Sequence, residues 1–173
     1  MPYFSGFSLT NESYLFNAFI DKSQYSVSGF SYGAIGALKY VLNELDKGNR
    51  IDRLQLLSPA FFQTKNIKFK KLQLMGYRKN KDIYLKQFLK SCFTPYERKI
   101  VQTADNTIEE LEELLLYEWD REDLQKVLNK GVVIEVYLGG KDAIIDVEEA
   151  KVFFINYATL TYIKDANHFL QTK

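Results

Sequence analysis

One cysteine, Cys92, and one histidine, His168, occur in 173 residues. The lone cysteine excludes an internal disulfide and agrees with a reducing compartment. With a single histidine and a single thiol, a zinc site would have to be built largely from carboxylates, so no metal is expected. Charge of one sign is also missing. A formal net charge of +1 gives no uniform surface field, and a nucleic-acid role gains no support from it. No apolar run is long enough to cross a bilayer, and the opening Met-Pro-Tyr-Phe-Ser-Gly lacks the basic and apolar regions of a signal peptide. A cytoplasmic protein is the expectation. There is no internal repeat and no low-complexity tract. What is present is a hydrophobic content of 46%, enough for the core of one domain over residues 1–173.

Along the chain, strand and helix patterns alternate. Pro2 to Phe4, Tyr25 to Gly29, Arg53 to Leu57, Val132 to Leu138 and Thr159 to Ile163 read as strands. A helix is expected over Asn11 to Ile20, with Tyr14, Leu15, Ala18 and Phe19 on one face. Another is expected over Gly33 to Leu45, closed by Gly48-Asn49. Asp146 and Glu149 look like the start of a capping box for a helix that turns Val147, Ala150, Phe153 and Tyr157 inward. The fold class is therefore α/β, with a mostly parallel sheet flanked by helices.

Gly29-Phe30-Ser31-Tyr32-Gly33 has the form G-x-S-x-G between an expected strand and an expected helix. A serine exposed on so sharp a turn needs glycine two residues to either side, and the helix behind it aims its N–H groups and positive dipole end at the turn. Ser31 is thus a candidate nucleophile. It needs a base, and His168 is the only histidine. The acid should follow a strand between them. Asp142 in Gly-Gly-Lys-Asp lies just past the strongest strand, and Asp146 is the alternative. An oxyanion requires two fixed N–H donors, one from the residue after the nucleophile, Tyr32, and one from an early loop. In Ser5-Gly6-Phe7-Ser8 the Phe7 amide is the candidate, although this loop also reads as a turn with a buried phenylalanine.

Residues 60–130 are too long for a plain crossover and are expected to form a helical lid. Lysine and arginine dominate from Lys65 to Lys99, and acidic residues dominate from Asp105 to Asp123. One account has the two halves packing and neutralising each other in part. The other has a basic face, including Arg78, Lys79, Lys81 and Lys86, docking an acidic partner. Thr107 and Glu110 cap a helix with Ile108, Leu111, Leu114, Leu115 and Trp119 on its apolar side. Phe61, Phe62 and Trp119, together with Tyr84, Phe88 and Phe93, are candidates for an acyl channel, or for core.

Taken together, Ser-Gly-Phe-Ser, Gly-Phe-Ser-Tyr-Gly, Gly-Gly-Lys-Asp and Ala-Asn-His resemble the motifs of α/β-hydrolases. Over nearly its whole length the chain is similar to the small BioV-type pimeloyl-[acyl-carrier protein] methyl ester esterases of Helicobacter-like bacteria. The resemblance implies an α/β-hydrolase fold and a serine esterase of biotin biosynthesis. Such an enzyme cleaves the methyl ester of a pimeloyl chain carried on acyl carrier protein and releases methanol. It implies no cofactor, and it gives the basic face an acidic partner, acyl carrier protein. A thioesterase or broad short-chain carboxylesterase with the same triad is an alternative, as is a homologue that only binds the carrier. The opening antiparallel strands of larger hydrolases are missing. The short stretch from Phe7 to Ser31 also leaves little room for their usual additional strand and helix, so a reduced sheet of about five strands is expected.

Overall fold

The computed structural model describes residues 1–173. Five strands, β1 (Tyr3–Phe4), β2 (Ser26–Phe30), β3 (Arg53–Leu57), β4 (Val133–Gly139) and β5 (Thr159–Ile163), pair in that order. Every pairing is parallel. Alternate residues of the strands point to opposite faces, and here the faces differ in chemistry. Val27, Leu54, Leu56, Ile134, Val136 and Leu138 enter the main core. Helices α1 (Tyr32–Asp46), α5 (Arg121–Asn129) and α6 (Val147–Phe154) contribute Leu38, Val127 and Phe154 to that same cluster. A strand order that advances in one direction through right-handed crossovers requires the connecting helices to share a face.

The opposite face is partly polar. Gln55 accepts a hydrogen bond from the Ser28 hydroxyl at 3.0 Å and donates to Glu135 at 2.8 Å, and Arg53 pairs with Glu135 at 2.6 Å. A second cluster, with Phe16, Phe30, Phe93 and Phe169 at its centre, covers the part of this face nearest the strand ends. The sheet is the reduced, five-stranded parallel one expected of a small α/β-hydrolase.

The expected helix over 11–20 is instead a 3₁₀ turn, Glu12–Phe16. Its inward residues are Glu12 and Phe16, not the face with Tyr14, whose hydroxyl reaches the Ile100 carbonyl at 2.7 Å. A carboxylate that accepts the Gly6 N–H and the Tyr3 hydroxyl inside outweighs the apolar periodicity. At α6, Asp146 is the N-cap by position but caps nothing with its side chain, so the expected capping box is absent. Its carboxylate turns to the Thr64 hydroxyl at 3.1 Å and to Lys65 at 4.0 Å.

Between β3 and β4 lie α2 (Ile67–Lys79), α3 (Lys81–Phe93), α4 (Ile108–Leu116) and α5. Asn80 separates α2 from α3 and caps α3 through Ile83 N–H at 3.0 Å. The expected capping box opens α4: Thr107 and Glu110 exchange bonds of 3.2 and 2.8 Å. The acidic helix ends earlier than its apolar spacing suggests, at Leu116, and Trp119 lies beyond it. α5 packs against α1 and β4 and completes the crossover, so the separate helical layer runs from α2 to α4 rather than over all of 60–130. α2 packs against α4, but Lys81–Asp105 at 2.9 Å is the one ion pair that joins the basic and acidic stretches.

Candidate active site

The turn after β2 holds Ser31 at φ 52°, ψ −115°, a conformation that L residues rarely adopt. Two close approaches make the turn possible. A Cβ on Gly29 would meet the Gly33 carbonyl oxygen at 2.4 Å, and one on Gly33 would meet the Phe4 carbonyl oxygen at 2.0 Å. Glycine at both positions lets α1 start directly behind Ser31, with its N-terminal end at the hydroxyl. A Gly33→Ala substitution must push β1 and the following loop aside. We expect it to cost about 3 kcal/mol as an overpacking strain. For a domain of this size the melting temperature should fall by roughly 6–12 °C, read by thermal unfolding.

His168 follows β5 in a loop that its neighbour fixes. Asn167 Oδ1 accepts the Phe169 and Gln171 N–H groups, each at 3.0 Å, and Asn167 Nδ2 donates to the Phe93 carbonyl at 2.8 Å. These bonds hold the imidazole where Nε2 lies 3.0 Å from Ser31 Oγ and Nδ1 lies 2.6 Å from Asp142 Oδ2. The other oxygen of Asp142 accepts the Ile144 N–H at 2.7 Å, which orients the carboxylate. Ser31 is 2% exposed and His168 1%. Serine, imidazole and carboxylate thus form one hydrogen-bonded chain out of solvent, and such a chain can transfer a proton from a hydroxyl as it attacks a carbonyl. Asp146, the alternative acid, makes its contacts elsewhere, with Thr64 and Lys65.

Phe7 and Tyr32 are brought together, their rings meeting edge to face with centroids 6.3 Å apart. No turn, loop or side-chain acceptor takes the main-chain N–H of either. The Tyr32 hydroxyl donates to Glu113 of α4 at 2.6 Å, and the ammonium of Lys39 binds the other oxygen of the same carboxylate. The Lys39 bond, then the Tyr32 bond, holds the Glu113 carboxyl below the usual carboxylate range. Burial and that carboxylate raise the Tyr32 phenol. This contact ties α4 to the turn that carries Ser31.

Of the residues expected at the channel, Phe62 borders a cavity of about 260 Å³ between α2, α3, α4 and the loop after Asp142, whereas Phe61, Phe93 and Trp119 do not. Tyr84, Phe88, Leu111, Leu114 and Ile144 line it as well. Phe61 and Trp119 belong to the core on the helical face. Phe61 packs on Phe153 and Phe154, and Trp119 packs on Phe154 while its indole donates to the Ala60 carbonyl at 2.8 Å. Phe93 stacks on Phe169 at 4.3 Å in the second cluster. Among the expected docking residues, Arg78, Lys79 and Lys86 are exposed and unpaired. Lys81 is occupied by Asp105 and by the Asn106 carbonyl at 2.6 Å, and it braces the start of α3.

Asn167, Glu12 and Glu113 are the participants that sequence reading passed over. For Asn167 a signal exists, since an asparagine that accepts the N–H two residues on is the usual side-chain turn. For Glu113 none does, because Tyr32 and Lys39 lie 81 and 74 residues away, and for Glu12 none does, because Gly6 and Tyr3, 6 and 9 residues back, match no local turn spacing.

No protein-family model and no curated protein sequence matches the chain. Solved structures do. An esterase from Exiguobacterium antarcticum superposes with a TM-score of 0.62 at 20% identity, over 83% of this chain and 59% of that one. Naproxen esterase (carboxylesterase NP) from Bacillus subtilis gives 0.55 at 20% identity, over 95% of this chain and 62% of that one. BioG from Haemophilus influenzae gives 0.57 at 11% identity, over 97% of this chain and 87% of that one. The chain spans about three fifths of the length of the first two. At such identities the likeness is one of fold.

Proposed function

We propose that the chain is a carboxylic ester hydrolase that removes the methyl group from the pimeloyl methyl ester carried on acyl carrier protein. The reading is carried by one observation, the buried Ser31–His168–Asp142 chain with its distances of 3.0 and 2.6 Å. Ser31 Oγ attacks the ester carbonyl while His168 Nε2 takes its proton. Asp142 holds the Nδ1 proton and stabilises the imidazolium. The oxyanion receives the N–H groups of Phe7 and Tyr32. Methanol leaves with the proton from His168, and water, activated by the same nitrogen, hydrolyses the acyl-enzyme.

Three features support the finer assignment. The cavity beside Asp142 is lined mainly by apolar side chains, which suits a methylene chain. The helices around it, α2 to α4, act in this reading as a lid held to the nucleophile turn by Tyr32 and Glu113. The exposed cations Arg78, Lys79 and Lys86 offer an acidic carrier a complementary surface. A role in biotin synthesis follows from the sequence resemblance.

The test is to give the purified protein methyl pimeloyl-carrier and identify the broken bond by mass. Methanol release with the thioester intact is the expected result. Thioester cleavage with the methyl ester intact would replace this reading by a thioesterase, and equal rates on carrier-free short esters would replace it by a general esterase. Reversing charge at Arg78 and Lys79 together should raise KM for the carrier-bound ester about tenfold, with kcat and small-ester turnover unchanged. An unchanged KM removes these two residues from the docking surface.

A further inference from the structure

We propose that Glu12 is a positioning residue that sets the direction of the Phe7 N–H from beneath the oxyanion loop. The inference rests on the ester-hydrolase reading above. Glu12 is fully buried. Its Oε1 accepts the Gly6 N–H at 2.8 Å and the Tyr3 hydroxyl at 3.1 Å, while Oε2 is buried without a partner. No cation pairs with it. A buried carboxylate with half its acceptor capacity unused is costly, and packing alone would favour an apolar side chain. What the carboxylate does hold is the loop.

Gly6 is fixed on both sides. Its N–H is bound by Glu12, and its carbonyl accepts the Leu9 N–H at 3.1 Å. In a trans peptide the carbonyl and the following N–H point in opposite directions, so a Gly6 carbonyl committed to Leu9 turns the Phe7 N–H the other way. There it meets no protein acceptor. The loop also lies against the strand that leads to the nucleophile, for a Cβ on Gly6 would come within 2.7 Å of the Phe30 ring. A charged acceptor forms the stronger bond to a main-chain donor, which accounts for a carboxylate at this position. The donor that stabilises a developing oxyanion must be aimed before the reaction, and Glu12 does the aiming through Gly6.

The reach of the side chain and its charge can be separated. Glu12→Asp keeps the charge and withdraws the carboxylate by one methylene. Glu12→Gln keeps the reach and the accepting oxygen without the charge. We expect Glu12→Asp to lower kcat about 10²-fold, as a displaced oxyanion donor should, with KM changed less than threefold. The rate of phosphonate labelling at Ser31 should fall by a similar factor. Glu12→Gln should recover at least tenfold of both losses, and melting temperatures recorded alongside show whether activity follows reach or stability. If Glu12→Asp keeps kcat within threefold of wild type, or if kcat in the two variants merely follows their melting temperatures, Glu12 is structural only and the inference fails. A wild-type protein that neither turns over esters nor takes the phosphonate overturns the hydrolase reading as well. An active wild type with an equally active Glu12→Asp overturns only this one.

Discussion

Ser31→Ala is expected to lower kcat on the carrier-bound methyl ester on the order of 10⁶-fold, to within reach of the residual rate that binding and oxyanion donors supply alone. The size of the loss follows from the way the three side chains act as a unit. Without Oγ, His168 Nε2 has no proton to take, and neither the imidazole nor Asp142 contributes further. The substitution removes one atom that bonds only to the imidazole, and alanine carries the same Cβ through the turn at φ 52°. The melting temperature should therefore stay within a few degrees of wild type. Mass spectrometry after treatment with a fluorophosphonate provides the parallel readout. The wild type should gain one adduct, on the peptide containing Ser31, and the variant none. Turnover above one hundredth of wild type in Ser31→Ala would mean that another group attacks the ester.

Asp142→Asn should be the next most damaging change, at about 10⁴-fold in kcat. An asparagine there can still accept the Ile144 N–H, so the loop keeps its shape. Its amide group, however, can present a donor to Nδ1, which favours the tautomer with the proton on Nε2, where a base cannot use it. The control is Asp146→Asn. That carboxylate contacts Thr64 and, at 4.0 Å, Lys65, and this long, partly exposed pair is worth no more than about 1 kcal/mol. Its kcat should stay within threefold of wild type. Steady-state rates of the two variants, measured side by side, decide between the two candidate acids. Equal losses would mean that the 2.6 Å contact of Asp142 with the imidazole is not what orients the base.

Where local chemistry governs an element, its residues reveal it. β3 and β5 have the bounds expected from their sequence, and the capping box of Thr107 and Glu110 is present at α4. The turn around Ser31 is of the same kind, because a Cβ on Gly33 would lie 2.0 Å from the Phe4 carbonyl oxygen, so only glycine fits there. Elements whose partners lie outside their own few residues do not announce themselves this way. The 3₁₀ turn at Glu12–Phe16 replaces an expected helix because Glu12 binds Gly6 and Tyr3. Trp119 fits the apolar spacing of α4, yet the helix stops at Leu116 and the indole serves the core on the helical face of the sheet. Phe61 and Phe62 are adjacent and chemically identical. One packs on Phe153 and the other borders the cavity, a division set by which side of the chain faces α2 to α4.

The order of Ser31, Asp142 and His168, the strand-turn-helix around the serine and the alternation that makes a parallel sheet are properties of the amino-acid sequence. They depend on backbone conformation and on side-chain period, which act over a few residues. The tertiary structure alone decides that Asp142 and not Asp146 meets the imidazole, and that Phe62, Tyr84 and Phe88 form part of the cavity wall. Those outcomes depend on distances between residues far apart in the chain. Such distances are set when helices close over a sheet, and no local pattern encodes them.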